Sequence, residues 1–199
     1  KFFINSFDFL NDSQIHGDYF EFGVHKARTF RMALTCAKFY NIEDIFFHAF
    51  DSFEGLPNIE AKTIDQWVPG ALSTSIENFK DLILKHGLYT ENFSCYKGFF
   101  DKSLSSDLLE EIMKTNKKAI MINIDCDYYD SAVSVFNFIE PLIQHGTIIY
   151  LDDAFAGFTK TSNGGVLKAF KNFEKKSNFE YIPHINIGWW GRSFIASQI

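Results

Sequence analysis

Cysteine is scarce, with Cys36, Cys95 and Cys126 the only three in 199 residues. Odd in number, far apart and without a Cys-x-x-Cys pair, they argue against a disulfide framework and a cysteine-built zinc site. They suit a reducing, cytoplasmic compartment. No apolar run approaches the roughly 20 residues that a membrane span requires. Internal repeats, low-complexity segments and basic stripes are missing too. With 19 Lys and Arg against 25 Asp and Glu, the formal charge is −6, and nucleic acid is not an expected partner. The mixed run over 171–176 reads as a solvated helix face. Phenylalanine is abundant, with 24 residues spread through periodic segments where a core would bury them. A chain of this length fits one domain with a large core. It opens on Lys rather than Met, which leaves an upstream segment open.

Apolar spacing predicts a leading helix over 2–10, a strand over 19–22, a helix over 29–40 and a strand over 45–50. A long loop over 51–69 holds two of the four prolines. A helix over 73–86 follows, with Gly87 as its stop, and then a strand over 93–96. Next come a helix over 107–115, a strand over 119–124, a helix over 132–143 and a strand over 147–151. A helix over 166–175, opened by Asn163-Gly164-Gly165, precedes two strands at 179–182 and 193–196. This alternation implies an α/β fold, a mostly parallel seven-stranded sheet with helices on both faces. The last two strands have no crossover helix between them and should pair antiparallel at an edge. Residues 1–16 read as a helical lead and 17–199 as the domain.

The strand over 119–124 ends in Asp125-Cys126-Asp127 and the strand over 147–151 in Asp152-Asp153. Ligands in an open α/β sheet bind at the carboxyl ends of strands, and convergent carboxylates there favour a hard divalent cation such as Mg²⁺. Capping of the following helices is the plainer alternative. The first strand ends Glu21-Phe22-Gly23-Val24, where glycine lets the backbone approach a ligand. A second glycine is missing from the following residues, so the dinucleotide fingerprint is absent. Asp51, closing the second strand, suits either ribose hydroxyls or an Asx-turn.

Taken in order, five segments resemble the macrocin O-methyltransferase family, class I enzymes that use S-adenosylmethionine, several acting on sugars of antibiotics. They are Gly17-Asp-Tyr-Phe-Glu-Phe-Gly-Val24, Phe50-Asp-Ser-Phe-Glu-Gly-Leu-Pro57, Gly98-Phe-Phe-Asp-Lys-Ser-Leu104, Ile124-Asp-Cys-Asp-Tyr-Tyr-Asp-Ser131 and Leu151-Asp-Asp153. The resemblance implies a Rossmann-like class I methyltransferase fold. It implies a cofactor site in which Glu21, Gly23, Val24 and Thr29 surround the methionine part, Asp51 and Ser52 meet the ribose, and Phe99 and Phe100 enclose adenine. It also implies Asp125, Asp152 and Asp153 as ligands of Mg²⁺ or another divalent cation, with Asp125 doubling as base and as a cofactor-binding residue, and a small-molecule acceptor such as a sugar or glycosylated metabolite. Asp127 is read as structural or supporting. The chain departs from the family at Ala27-Arg28, where two small residues are usual; a guanidinium there could pair with the cofactor carboxylate.

A divalent cation would lower the pKa of an acceptor hydroxyl and Asp125 would accept its proton. His25, His145 and His184 are alternative bases. Trp67 could close over the site as a lid, and Trp189-Trp190 could wall the acceptor. Two rival readings are a metal-dependent glycosyltransferase using Asp125-x-Asp127 and a non-catalytic cofactor-binding domain, the latter motivated by Arg28. Self-association is left open.

Overall fold

The computed structural model describes residues 1–58, 68–156 and 165–199. Strands β1 (Asp18–Phe22), β2 (Phe47–Asp51), β3 (Phe93–Lys97), β4 (Ala119–Ile124), β5 (Ile148–Leu151), β6 (Phe179–Ile187) and β7 (Gly191–Gln198) form one sheet. Their order is β3-β2-β1-β4-β5-β7-β6. The first five run parallel, and β7 pairs antiparallel with both β5 and β6. The antiparallel strand therefore lies one place in from the edge, which β6 forms. Helices α1 (Phe2–Asp12), α2 (Arg28–Phe39) and α3 (Ile76–His86) cover one face. Helices α4 (Phe100–Ser103), α5 (Ser106–Met113), α6 (Tyr129–Ile139) and α7 (Gly165–Glu174) serve the other. Among the described residues no helix is long and apolar enough to cross a membrane.

The two-residue period of a strand explains how β1 serves both layers. Phe20 and Phe22 enter the core under α6, while Tyr19 enters the core under α2 with Glu21 on its side. Phe20 stacks on His48 at 4.3 Å, Phe22 on Phe50 at 4.5 Å, and Phe50 on Tyr96 at 4.5 Å. On the opposite face Phe30 of α2 meets Tyr19, Phe47 and Phe79 with centroids 5.4–5.9 Å apart. Such tilted and offset pairs suit the ring quadrupole. The leading helix buries Phe7 and Leu10 in this same core, and its Phe2 ring lies 4.6 Å from Tyr150.

Local chemistry sets several element ends. Ser75 accepts the Asn78 amide at 3.2 Å to open α3, and Gly87 closes it in the left-handed conformation at φ 75°. The one-turn helix α4 is too short to carry a periodic signal. Strand β6 runs on past Pro183 to Ile187, because its pairing with β7 resumes beyond an irregularity between Pro183 and Asn186. Trp67, Asn163 and Gly164 lie outside the described residues.

Phe30 is fully buried among aromatic rings that cannot collapse into its space. Phe30→Ala is expected to cost about 3–5 kcal/mol, measured by denaturant unfolding.

Candidate active site

From β1 the chain passes outward to β2 and β3, and β4 then starts again on the other side of β1. The crevice at this reversal, beyond the carboxyl ends of the strands, is where such sheets bind ligands. Backbone hydrogen bonds extend the sheet past the strand ends. Gly23 N–H donates to Phe50 O at 2.8 Å, Gly98 N–H to Asp51 O at 2.9 Å, Asp125 N–H to Phe22 O at 2.9 Å and Asp152 N–H to Ile124 O at 3.0 Å. Asp51, Asp125 and Asp152 are thus presented along one rim. Gly23, at φ 89°, lies so close to β4 that a Cβ there would sit 1.8 Å from the Asp125 carbonyl oxygen.

Carboxylate oxygens of Asp125, Asp152 and Asp153 all lie within 4.8 Å of one another. Burial, then repulsion from Asp152 and Asp153, holds Asp125 well above the usual carboxylate range. Burial and Asp127 push Asp153 up to about 8, and burial pushes Asp127 to about 6. The Tyr150 hydroxyl donates to Asp152. None of the ion pairs found among the described residues involves these acids. Three oxygen donors with uncompensated negative charge fit a hard cation and not a thiophilic one. The buried Cys126 thiol between them is pushed up by burial and then by Asp127, so it stays protonated.

Beneath this rim lies a buried polar pocket. Glu21 is fully buried, and its carboxyl accepts from the Tyr19 hydroxyl and from Thr29 Oγ1 at 2.6 Å. Burial outweighs these bonds and raises Glu21 to about 7. Asn123, its neighbour in the sheet register, is also fully buried. Neither atom of its side-chain amide has a hydrogen-bond partner among the described residues.

Asp51 is occupied by backbone. Its Oδ2 accepts the amides of Val24 at 2.8 Å and His25 at 3.2 Å, and its Oδ1 accepts the Phe53 amide at 2.7 Å, an Asx-turn. A carboxylate has about four acceptor positions, so these amides leave one for a ligand. Ser52 Oγ donates to Gly55 O at 2.8 Å and shapes the same turn.

Two cavities open along the rim. The first, about 430 Å³, is lined by Gly23, Asp51, Ser52, Phe99, Phe100 and Asp127 among others. The second, about 1020 Å³, is lined by Val24, Thr29, Arg28, Tyr150, Asp152 and Trp190 among others. Asp125 and His25 line both. Of the residues singled out from sequence, Glu21, Asp153 and Trp189 line neither: Glu21 is fully buried, Asp153 half-buried and Trp189 exposed. His145 accepts the Gln198 amide, and His184 pairs with Ser193; both are away from the cavities. His25 has no sequence signal beyond its place after Gly23. Its position comes from a backbone turn at φ 32° and a 3.2 Å contact with Thr74 Oγ1.

The family model described as Macrocin-O-methyltransferase (TylF) matches residues 3–194. No curated protein sequence matches the chain. Among solved structures, the O-methyltransferase NovP shares 16% identity over 98% of this chain and 78% of its own, with a TM-score of 0.78. CalS11, a calicheamicin methyltransferase, shares 15% over 97% and 76%, at 0.79; its apo form is described as a TDP-rhamnose 3'-O-methyltransferase. TomG from Streptomyces achromogenes, solved with S-adenosylmethionine, shares 12% over 99% and 79%, at 0.60. At such identities the likeness speaks for the fold.

Two measurements probe this architecture. Gly87 needs only the left-handed conformation and has open space around it, so Gly87→Ala should cost about 1 kcal/mol. Gly23→Ala adds a backbone collision and should cost at least about 2–3 kcal/mol; equal losses would contradict the close approach. Glu21 titrates near 7 when folded against 4.5 when unfolded. The folded state thus binds its proton more tightly, and stability falls as pH rises through that window, by about 3 kcal/mol. Denaturant midpoints from pH 5 to 8 should show this loss in the wild type relative to Glu21→Gln, and parallel curves would exclude it.

Proposed function

The chain belongs to the macrocin-O-methyltransferase family and is an S-adenosylmethionine-dependent O-methyltransferase; on that premise we propose that it methylates a hydroxyl of a sugar or other polyhydroxylated small molecule with the help of a divalent cation. The observation that carries the reading is that one carboxylate, Asp125, is a wall of both cavities at the edge of the acidic cluster. The first cavity takes the ribose and adenine of the cofactor, and the second takes its methionine end and the acceptor. NovP and CalS11, the latter described as acting on TDP-rhamnose, favour a sugar hydroxyl. Family membership displaces the glycosyltransferase and non-catalytic alternatives.

In the first cavity the remaining acceptor position of Asp51 receives a ribose hydroxyl, Ser52 holds the turn beside it, and Phe99 and Phe100 offer apolar faces to the adenine. Val24 and Thr29, on the lining of the second cavity, border the methionine end where the cofactor passes the shared Asp125 wall. Glu21 acts from beneath, through its bond to Thr29. S-adenosylmethionine supplies an electrophilic methyl group on a sulfonium. Asp125, Asp152 and Asp153 are the residues that would hold Mg²⁺ or another divalent cation, which would acidify and orient the acceptor hydroxyl.

Asp125 takes the hydroxyl proton as the acceptor oxygen forms its bond to the methyl carbon and the carbon–sulfur bond breaks. S-adenosylhomocysteine leaves as a neutral thioether. Burial raises the proton affinity of Asp125, which suits a base working near neutrality. Tyr150 fixes the orientation of Asp152. Holding oxygen and methyl in line across the shared wall removes much of the entropic barrier, up to about 7–11 kcal/mol in well-oriented systems. His25 is the second candidate for the proton, because it too lines both cavities.

Methyl transfer to a panel of sugars and glycosides should fall by about 10²-fold or more in Asp125→Asn, with cofactor affinity, read by calorimetry, changing far less. A comparable fall in His25→Ala with Asp125→Asn active would move the base to His25. Mg²⁺ affinity should rise from pH 6 to 8.5, because protons compete for carboxyls whose values are raised. A flat profile, or full activity in chelator, would remove the cation from the reading.

A further inference from the structure

Val24 and Thr29 reach the larger cavity from the end of β1 and the start of α2, and Tyr150, Asp152, Ile187 and Trp190 reach it from β5 and the β6–β7 hairpin. In the sheet β4 and β5 follow β1 before β7, so the cavity has a cofactor side and a far side. Trp190 stands on the far side, in the turn between β6 and β7. Leu151 pairs with Arg192 across the antiparallel β5–β7 ladder, so the residues after Leu151 run alongside those before Arg192. Trp190 O accepts the Phe155 amide at 2.9 Å, and the Arg192 guanidinium lies 5.1 Å from the centre of the Phe155 ring. A Cβ on Gly191 would sit 2.9 Å from the Tyr150 hydroxyl, the group that donates to Asp152. The main chain of Trp190 is thus pinned beside the acidic cluster.

Its indole is fixed as well. A Cβ on Gly188, whose φ is 60°, would stand 2.6, 2.8 and 2.9 Å from three consecutive atoms of the six-membered ring of Trp190. Such even distances put that point over the ring face and not off its edge, so the indole rests on the main chain of the turn. Trp189 stands almost perpendicular to it, with ring centres 5.7 Å apart. Trp189 is 72% exposed and lines neither cavity, whereas Trp190, at 37%, lines the larger one. An aromatic surface already held in place loses little conformational entropy when a ligand covers it.

We propose that Trp190 is the platform for the acceptor: the C–H face of a pyranose ring packs on the indole while one of its hydroxyls points to Asp125. This rests on the assignment of a sugar acceptor to the far side of the larger cavity. The gain comes from apolar area removed from water, and only a ring that shows several C–H groups on one side offers a matching face to a flat aromatic. An open-chain polyol carries similar hydroxyls and no such face. Trp190 therefore selects a cyclic acceptor, and the separation between platform and carboxylates selects which hydroxyl reacts.

The test is methyl transfer at saturating S-adenosylmethionine and Mg²⁺, with methyl glucopyranoside, methyl rhamnopyranoside, methyl fucopyranoside and glucitol as acceptors. Trp190→Ala should raise KM for the pyranosides about tenfold or more, with kcat far less changed. Trp190→Phe should recover most of that loss, and Trp189→Ala should show none of it. In Trp67→Phe/Trp189→Phe the only one of the three tryptophans left is Trp190, and its emission should shift saturably with pyranoside in the presence of S-adenosylhomocysteine. An unchanged KM in Trp190→Ala, an emission indifferent to saturating pyranoside, or glucitol accepted as well as the pyranosides would overturn the proposal. Weaker S-adenosylmethionine binding in Trp190→Ala with the acceptor KM unchanged would overturn it in favour of a place at the methionine end. A wild type that binds S-adenosylmethionine yet methylates no pyranoside would overturn the sugar reading itself, and the platform with it. Unfolding midpoints verify that each variant folds.

Discussion

The backbone contact between the end of β1 and the end of β4 is the constraint from which the site follows. Gly23 and Asp125 approach at a distance that no side chain at position 23 would permit. Because β2 and β5 are hydrogen-bonded to these two strands, the same contact sets where Asp51 and Asp152 emerge. The crevice is thus a property of the sheet, and the loops line it without having to create it.

Within this frame the protein gathers groups that repel one another. Asp125, Asp127, Asp152 and Asp153 share a half-buried corner, and the fully buried Glu21 adds a fifth acid below. Neutral side chains handle the crowding. Tyr19 and Thr29 donate to Glu21 and Tyr150 donates to Asp152, so acceptor oxygens are satisfied without cancelling charge. Such an arrangement is costly to fold and well suited to receiving positive charge.

Much of this was legible in the sequence, for local reasons. Strands ending in aspartate, Gly87 as a helix stop and the antiparallel closing pair all follow from periodicity and turn chemistry over a few residues. The resemblance to a known family added the grouping of distant residues, which spacing alone does not give. What escaped depends on long-range geometry. The short α4 has no period to read, β6 outlasts Pro183 because of its partner strand, and His25 reaches both cavities through a backbone turn. Asp51 was balanced between two readings because a single carboxylate can serve both a turn and a ligand, and here it has capacity for both. The two adjacent tryptophans were legible only as a pair. Folding exposes Trp189 and sets Trp190 over Gly188 on the cavity wall.

Asp125 belongs to two enclosures at once, and thermodynamics attaches a condition to that. A proton or ion taken up at its carboxyl alters the free energy of whatever occupies either chamber. Any change that occupancy of one chamber makes to affinity in the other is matched by the same factor in the reverse direction. Such coupling would run through the sheet rim itself, with no moving subunit or distant pathway required.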